Sequence, residues 1–439
     1  MTGKQNMSWR LRLATVRYRF TESLFVQPTA LMLVGVVLAI ITTQIDDSLS
    51  PDTDVPFTLA MSSNAATWLL STVAGAMITT VGVVFSLTVV SLQLASGQFS
   101  PRVMRSFIRD KLSQRVIGLL VATFFYCVLI LPNVSGEATD PAPQVSLTVA
   151  VLMTLVTVIG ILAHLDHLAH GLQVGNVARV ITAEGIRTVN RLEGAPRNLK
   201  AVDIADFHVV PDDALVLPAR SSGWVTQVDT AHLFKSIAPG TRVRLETRIG
   251  AYIHAGEPLL RVWPAPGEGA PDLGQAVEIS ATRAMLQDAD FAIRQLVDIG
   301  LRALSPSIND PTTAIEVVLR LGTLLRTVLT TPLAPEGLED PRGRVVVQPW
   351  NLSHEEFIDH AFDQMRLSTG NQTEVIAALL RVLRMLIDYV EADHPEHLPA
   401  LKRQSQLILD SLPTDLPAED LARLRSLASD KTDPADHSR

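Results

Sequence analysis

Apolar residues crowd into the first 165 positions of the chain, where four runs contain no Lys, Arg, Asp or Glu: residues 29–45, 65–94, 116–131 and 145–163. A helix needs roughly 20 apolar residues to cross a bilayer, with about 17 as the lower limit. The pattern therefore predicts four transmembrane helices, the third being the shortest. Basic residues precede the first run, as in a signal peptide, but its apolar stretch exceeds the usual ~7–15 residues and no small-residue cleavage site follows, so it reads as a retained helix.

Past residue 208 the period changes. Residues 223–228, 242–246, 252–253 and 259–262 alternate in the manner of strands, with turns at Pro239-Gly240, Gly250 and Gly256-Glu257-Pro258; this predicts a small antiparallel barrel or sandwich. After a Pro- and Gly-rich stretch at 264–274 the period becomes helical. Met285, Ala289, Ile293, Leu296, Ile299 and Ala303 form one apolar stripe, and Asp290 with Arg294 and Asp298 with Arg302 make i,i+4 pairs on the other face. Residues 304–312 break that helix. Asp310 is placed to cap the next one, with Pro311 at its first position, and Ile315, Leu319, Gly322, Leu325 and Val328 continue it. Further helices are predicted at 355–365, 374–391 and 398–412.

The predicted fold is an α-helical membrane domain of four transmembrane helices followed by a cytoplasmic α+β part: a small β-barrel or sandwich, then a helical bundle. The divisions are a basic amphipathic segment at 1–27, the membrane domain at 28–165, and a helical stalk and linker at 166–208, with Val174, Val177, Ile181 and Val189 as its apolar positions. A β domain at 209–264, a helical domain at 275–415 and a C-terminal helix remnant with a polar tail at 416–439 complete the chain.

Charge orients this scheme. Lys4, Arg10, Arg12, Arg17 and Arg19 precede the first span, and Arg102, Arg105, Arg109, Lys111 and Arg115 follow the second, whereas the other two loops carry only acids such as Asp46, Asp47, Asp52, Asp54, Glu137 and Asp140. Positively charged loops stay in the cytoplasm, so both termini are expected there, with Trp68 either an anchor at the outer interface or a packed side chain. Trp9, Leu13, Val16, Phe20 and Leu24 recur at helical spacing before the first span. Such a helix would either lie on anionic headgroups or dock on the protein's own cytoplasmic part.

Within the second span Thr72, Thr79, Ser86 and Gln93 repeat every seven residues, with Gly75 and Gly82 on the adjacent seam. Small residues of this kind let helices approach closely in a membrane; alternatively they line a pore, which four spans could enclose only in a symmetric ring of subunits. No span holds an ionisable Lys, Arg, Asp or Glu, which disfavours proton relays, voltage sensors and ion-coupled carriers. At the inner end of the fourth span His164, His167 and His170 fall within about 120° on a helix, a candidate metal or pH-sensitive collar or simply interfacial packing. The turn carrying Ser305, Asn309, Asp310, Thr312 and Thr313 is either a capped helix junction or a ligand or assembly site that uses free N–H groups and hydroxyls, though Asp310 already places a carboxylate there.

Composition narrows the choice. Over 439 residues, 47% hydrophobic and 19% charged suits neither a wholly soluble nor a wholly embedded chain. The net charge of −8 and isoelectric point near 5.8 argue against a nucleic-acid binder. A lone cysteine, Cys127, excludes an intramolecular disulfide, a Cys-only zinc site and CxxC redox chemistry. Dinucleotide, Walker, GxSxG, HExxH and zinc patterns are absent, and His354-Glu355-Glu356 has no second histidine at the helical offset. The expectation is therefore a protein that is not an enzyme and carries no cofactor. The rhythm of Ser222-Gly223-Trp224-Val225 and then Gly250-Ala251-Tyr252-Ile253 resembles biotinyl and lipoyl type barrels, but Lys235 in Leu233-Phe234-Lys235-Ser236 lacks the hairpin setting of their cofactor lysine. Only the shape is carried over.

Three stretches together carry a broader likeness: residues 86–102, His167-Leu168-Ala169, and above all Gln287-Asp288 through Arg294-Gln295-Leu296-Val297-Asp298-Ile299 to Ala303-Leu304-Ser305-Pro306-Ser307-Ile308-Asn309-Asp310-Pro311-Thr312-Thr313-Ala314. They resemble the bacterial predicted membrane proteins catalogued as domain of unknown function twenty-two fifty-four. That family usually shows paired histidines where this chain has Asp166-His167. The resemblance implies a multi-pass inner-membrane protein and supports four spans, without supplying an activity. The function expected is an oligomeric channel or channel-like protein with a cytoplasmic assembly and gating domain; the alternative is a membrane-anchored scaffold or sensor. Anionic lipid and further copies of the chain are the expected partners.

Overall fold

The computed structural model describes residues 25–49, 56, 58–98, 111–134, 142–171, 174–192, 199–207, 209–265, 267, 272–414 and 416–428. The expected amphipathic helix before residue 25, the basic residues between 99 and 110 and the polar tail lie outside them. The described residues divide into two compact units, one up to residue 173 and one from 174 onward.

The first unit contains α1 (Val26–Ser48), α2 (Ser63–Gln98), α3 (Lys111–Ile130) and α4 (Gln144–Gly171). All four are long and apolar enough to cross a membrane. Helix α3 packs against each of the other three and is the most enclosed, with Leu120, Tyr126, Cys127 and Ile130 fully buried. Glycine lets α1 and α3 approach closely. A Cβ at Gly35 would stand 2.8 Å from the Ala122 carbonyl oxygen, and one at Gly118 would stand 2.8 Å from Leu31.

Several polar groups inside the unit are matched to one another, as a low-dielectric interior favours. The Tyr126 hydroxyl donates to the Ser146 carbonyl at 3.0 Å and shares a hydrogen bond with Thr42 at 2.9 Å. Asp46, near the end of α1, accepts from the backbone N–H groups of Val145 and Ser146, both at 2.9 Å, and from the Ser146 hydroxyl at 2.6 Å. An acid read from sequence as loop charge thus closes the N-terminus of α4. The outer surface is apolar: Val34, Ile40, Leu152, Leu155, Ile159 and Leu162 are exposed. In water such a surface is penalised at about 25 cal/mol per Å²; in lipid it is not.

The second unit opens with α5 (Val174–Leu192). This segment, expected as part of a stalk, packs as a helix of the unit. Val177, Ala178, Ile181, Gly185 and Val189 are buried, Gly185 sits against Ala292 and Leu324, and the Thr188 hydroxyl donates to the Met285 carbonyl at 2.9 Å. Its apolar positions recur at helical spacing because they face a protein core.

Strands β1 (Lys200–Ala201), β2 (Leu215–Pro218), β3 (Gly223–Val228), β4 (Arg242–Leu245), β5 (Tyr252–Ile253), β6 (Pro258–Trp263) and β7 (Val277–Ser280) follow, with the short helix α6 (Thr230–Ser236) after β3. Later come α7 (Asp290–Ala303), α8 (Pro311–Thr330), β8 (Gly337–Glu339), β9 (Val345–Val347), α9 (His354–Ser368), α10 (Thr373–Val390), α11 (Leu398–Asp410) and α12 (Ala418–Ala428). The strands form two open sheets, β1-β8-β9-β4-β6-β2 and β5-β3-β7, so the expected small barrel is corrected. The reason is β9, which lies about a hundred residues beyond β4 in the chain and pairs with it in parallel. It occupies an edge that closure would have used. One core serves both sheets, through Val225, Leu245, Leu260, Val262, Val277 and Val346. Lys235 lies on α6, not in a hairpin. Among the helices, α8 packs on α5, α7 and α10.

Candidate functional site

The seam read in the second span lies outward on α2. Thr72, Gly75, Thr79, Gly82, Ser86 and Gln93 are all exposed, while Ala66, Leu70, Ala74, Met77 and Val84 on the opposite side are buried against the rest of the unit. A Cβ added at Gly75 or Gly82 would meet nothing within 4 Å. Within this unit of the single chain the close backbone approaches are at Gly35 and Gly118 instead. The Thr79 and Ser86 hydroxyls each donate to the carbonyl four residues earlier, at 2.8 Å.

The three histidines at the end of the fourth helix have different surroundings. His164 is buried, with Nδ1 3.4 Å from the Ser113 hydroxyl, whereas His167 is exposed. The side chain of His170 lies outside the described residues. The described group best able to hold a metal is elsewhere, at His394, Glu396 and His397.

The turn before α8 is built around Asp310. Its carboxylate accepts from the Thr313 backbone N–H at 3.0 Å and from the Thr313 hydroxyl at 2.5 Å, and these bonds hold its pKa below the usual carboxylate range. Asn309 adopts φ +49°, a left-handed conformation that Asn tolerates better than most residues, and accepts from Gln372 at 2.8 Å. Ser305 donates to the Arg302 carbonyl, and Thr312 is exposed. The anion-binding capacity of the helix end is thus used by its own carboxylate.

Sequence reasoning missed a buried ionic cluster at the start of α7. Arg283 donates through Nε to Asp288 at 2.6 Å and through Nη2 to Asp288 at 3.1 Å and Asp290 at 2.8 Å. Nδ1 of His360 stands 2.7 Å from the other Asp290 oxygen. The rings of Trp224 and Phe291 flank the guanidinium at 5.6 and 5.2 Å. Asp290 was assigned to the polar face of the helix with Arg294. Arg294 does lie 3.7 Å from it, but Asp290 is buried and its closer partners come from outside α7. Burial opposes ionisation of Asp290, yet the hydrogen bonds and charges of His360 and Arg283 outweigh it and hold its pKa well below the usual range.

Gly250, at φ +80°, rests directly on this cluster; a Cβ there would clash with the Asp288 carboxylate. The cluster therefore ties β3, the turn before β5, α7 and α9 together. Beside it lies a cavity of about 140 Å³ lined by Arg248, Asp288, Asp290, Gln348, Asn351 and the apolar side chains of Val189, Val328, Leu352 and Phe357. The sequence signal for the cluster was the motif beginning Gln287-Asp288, whose carboxylates need a partner once they fall on a buried face.

Four membrane-length helices with an apolar exterior, joined to an α+β unit with open sheets, define an integral membrane protein with a substantial α+β part. The chain belongs to the family described as predicted membrane protein (DUF2254), whose model matches residues 21–385. Relatives include the uncharacterized proteins Rv1290c of Mycobacterium tuberculosis and Mb1321c of Mycobacterium bovis. Each is 33% identical over 331 residues, covering 72% of this chain and 62% of the relative. The match thus spans less than two thirds of the length of these relatives. No solved structure matches the chain.

Proposed function

We propose that this chain is the subunit of a homo-oligomeric, channel-like protein of a bacterial inner membrane, with both termini in the cytoplasm and the α+β unit acting in assembly and gating. The observation that carries the reading is the outward position of Thr72, Gly75, Thr79, Gly82 and Ser86 on α2, the span whose polar stripe has no packing role within the subunit. A ring of copies would turn these faces toward a common axis. Charge in the loops supports the orientation.

One observation favours the alternative of a membrane-anchored scaffold or sensor. Because Thr79 and Ser86 satisfy their hydroxyls on their own helix, the stripe can also face lipid or a neighbouring helix without water. Thr79→Leu and Ser86→Leu separate the two. For a conduit, conductance of the protein in liposomes changes at least severalfold while its thermal stability in detergent stays the same. For a scaffold there is no conductance under any ion, tension or pH tested, and the substitutions act on stability alone.

A further inference from the structure

Three histidines and a glutamate with no part in the sites above meet at the carboxyl end of α8. His354 is the first residue of α9, and His394, Glu396 and His397 lie in the turn between α10 and α11. We propose that His394, Glu396 and His397, with His354 packed beside them, form a binding site for a divalent transition-metal ion, zinc foremost. Ligand atoms of His394, Glu396 and His397 all lie within 4.8 Å of one another. The Glu396 carboxylate stands 3.3 Å from Nδ1 of His394 and 3.6 Å from Nε2 of His397. Two ligand atoms on one tetrahedral zinc are about 3.4 Å apart, so the carboxylate and His394 already have the required spacing. The ring centre of His354 is 4.4 Å from that of His397, so a third imidazole packs beside the site.

The orientation of two rings is fixed from behind. Nε2 of His354 lies 3.2 Å from the Thr331 carbonyl oxygen, and Nε2 of His397 lies 3.1 Å from that of Leu329. A carbonyl oxygen only accepts, so in the neutral rings each Nε2 bears the proton; in His397 this is also the nitrogen nearest Glu396, so metal binding there releases that proton and replaces the bond to the Leu329 carbonyl. Those carbonyls also belong to the last turn of α8, the negative end of its dipole, which favours a cation.

Two imidazoles and one carboxylate, with solvent in the open fourth position, form a nitrogen and oxygen set that suits zinc and its neighbours in the first transition row. Glu396 is largely exposed and His397 nearly buried, so an ion could enter from solvent while its inner ligand stays rigid.

The test uses the full-length protein in detergent, treated with chelator and titrated with Co²⁺ and then Zn²⁺. The expected result is one Co²⁺ per chain with the intense visible absorption of tetrahedral coordination, displaced by Zn²⁺, and a higher thermal midpoint when zinc is present. His394→Ala and Glu396→Gln alter partly or largely exposed side chains and leave the core intact; each should weaken binding by at least about tenfold. His397→Gln should abolish binding. His167→Ala, on the other candidate histidine cluster, should leave the signal unchanged. Absence of the tetrahedral spectrum in the unaltered protein, or its persistence in the His394→Ala, Glu396→Gln double variant, overturns the proposal.

Discussion

Burying a guanidinium against two carboxylates gains little over well-packed apolar groups, whereas removing one partner strands the other charges at a cost of about 3–5 kcal/mol. Arg283→Met should therefore destabilise the α+β unit by roughly that amount, measured as a lower denaturant midpoint by fluorescence. Neutralising Asp288 and Asp290 to Asn in the same protein should recover part of the loss, because the stranded charges disappear with them. The folded pKa of Asp290 lies below its unfolded value of about 3.9. Its contribution is consequently complete above that value and lost as pH falls through the folded pKa. Acid unfolding of the unaltered protein should steepen below about pH 4, and Asp290→Asn should flatten that limb of the profile. In the membrane unit the comparable residue is Gly35, where a side chain would press on the Ala122 carbonyl. Gly35→Leu should lower stability by about 1–3 kcal/mol, seen as a reduced thermal midpoint in detergent.

At the scale of elements, the Asp46 carboxylate joins the end of α1 to the start of α4 through three hydrogen bonds. Asp46→Ala should cost about 1 kcal/mol, the typical loss of an N-terminal cap, whereas the same change at Asp47 should be near neutral; thermal denaturation in detergent compares the two. Helices were legible wherever a period of 3.6 ran uninterrupted. The strands at 223–228 and 252–253 were read with their observed bounds, and Asp310 and Pro311 marked the start of α8. What escaped depended on distance along the chain. Strands β8 and β9 are three residues each and acquire meaning only by pairing with β1 and β4, which no local pattern encodes. The apolar positions of helix α5 are legible as part of a stalk, but what they pack against is decided by α7 and α8. The ionic cluster was hidden for the same reason: Asp290 and Arg294 have the spacing of a surface pair, and the burial of Asp290 comes from residues 283 and 360.

For the whole molecule, the apolar exterior of the four-helix unit argues for lipid on most sides, and α2 differs because its outer face also bears a line of small and hydroxylated residues. The proposed assembly rests on that face meeting its counterpart in another copy. Cross-linking in native membranes tests it most directly. Single cysteines would replace Thr79 or Ser86 on α2, or Leu155 on the outer face of α4, in a Cys127→Ala background, and be treated with a short bis-maleimide. The account predicts a ladder of covalent oligomers from Thr79→Cys and Ser86→Cys and monomer from Leu155→Cys. Monomer from both α2 positions, or an equal ladder from Leu155→Cys, would contradict it.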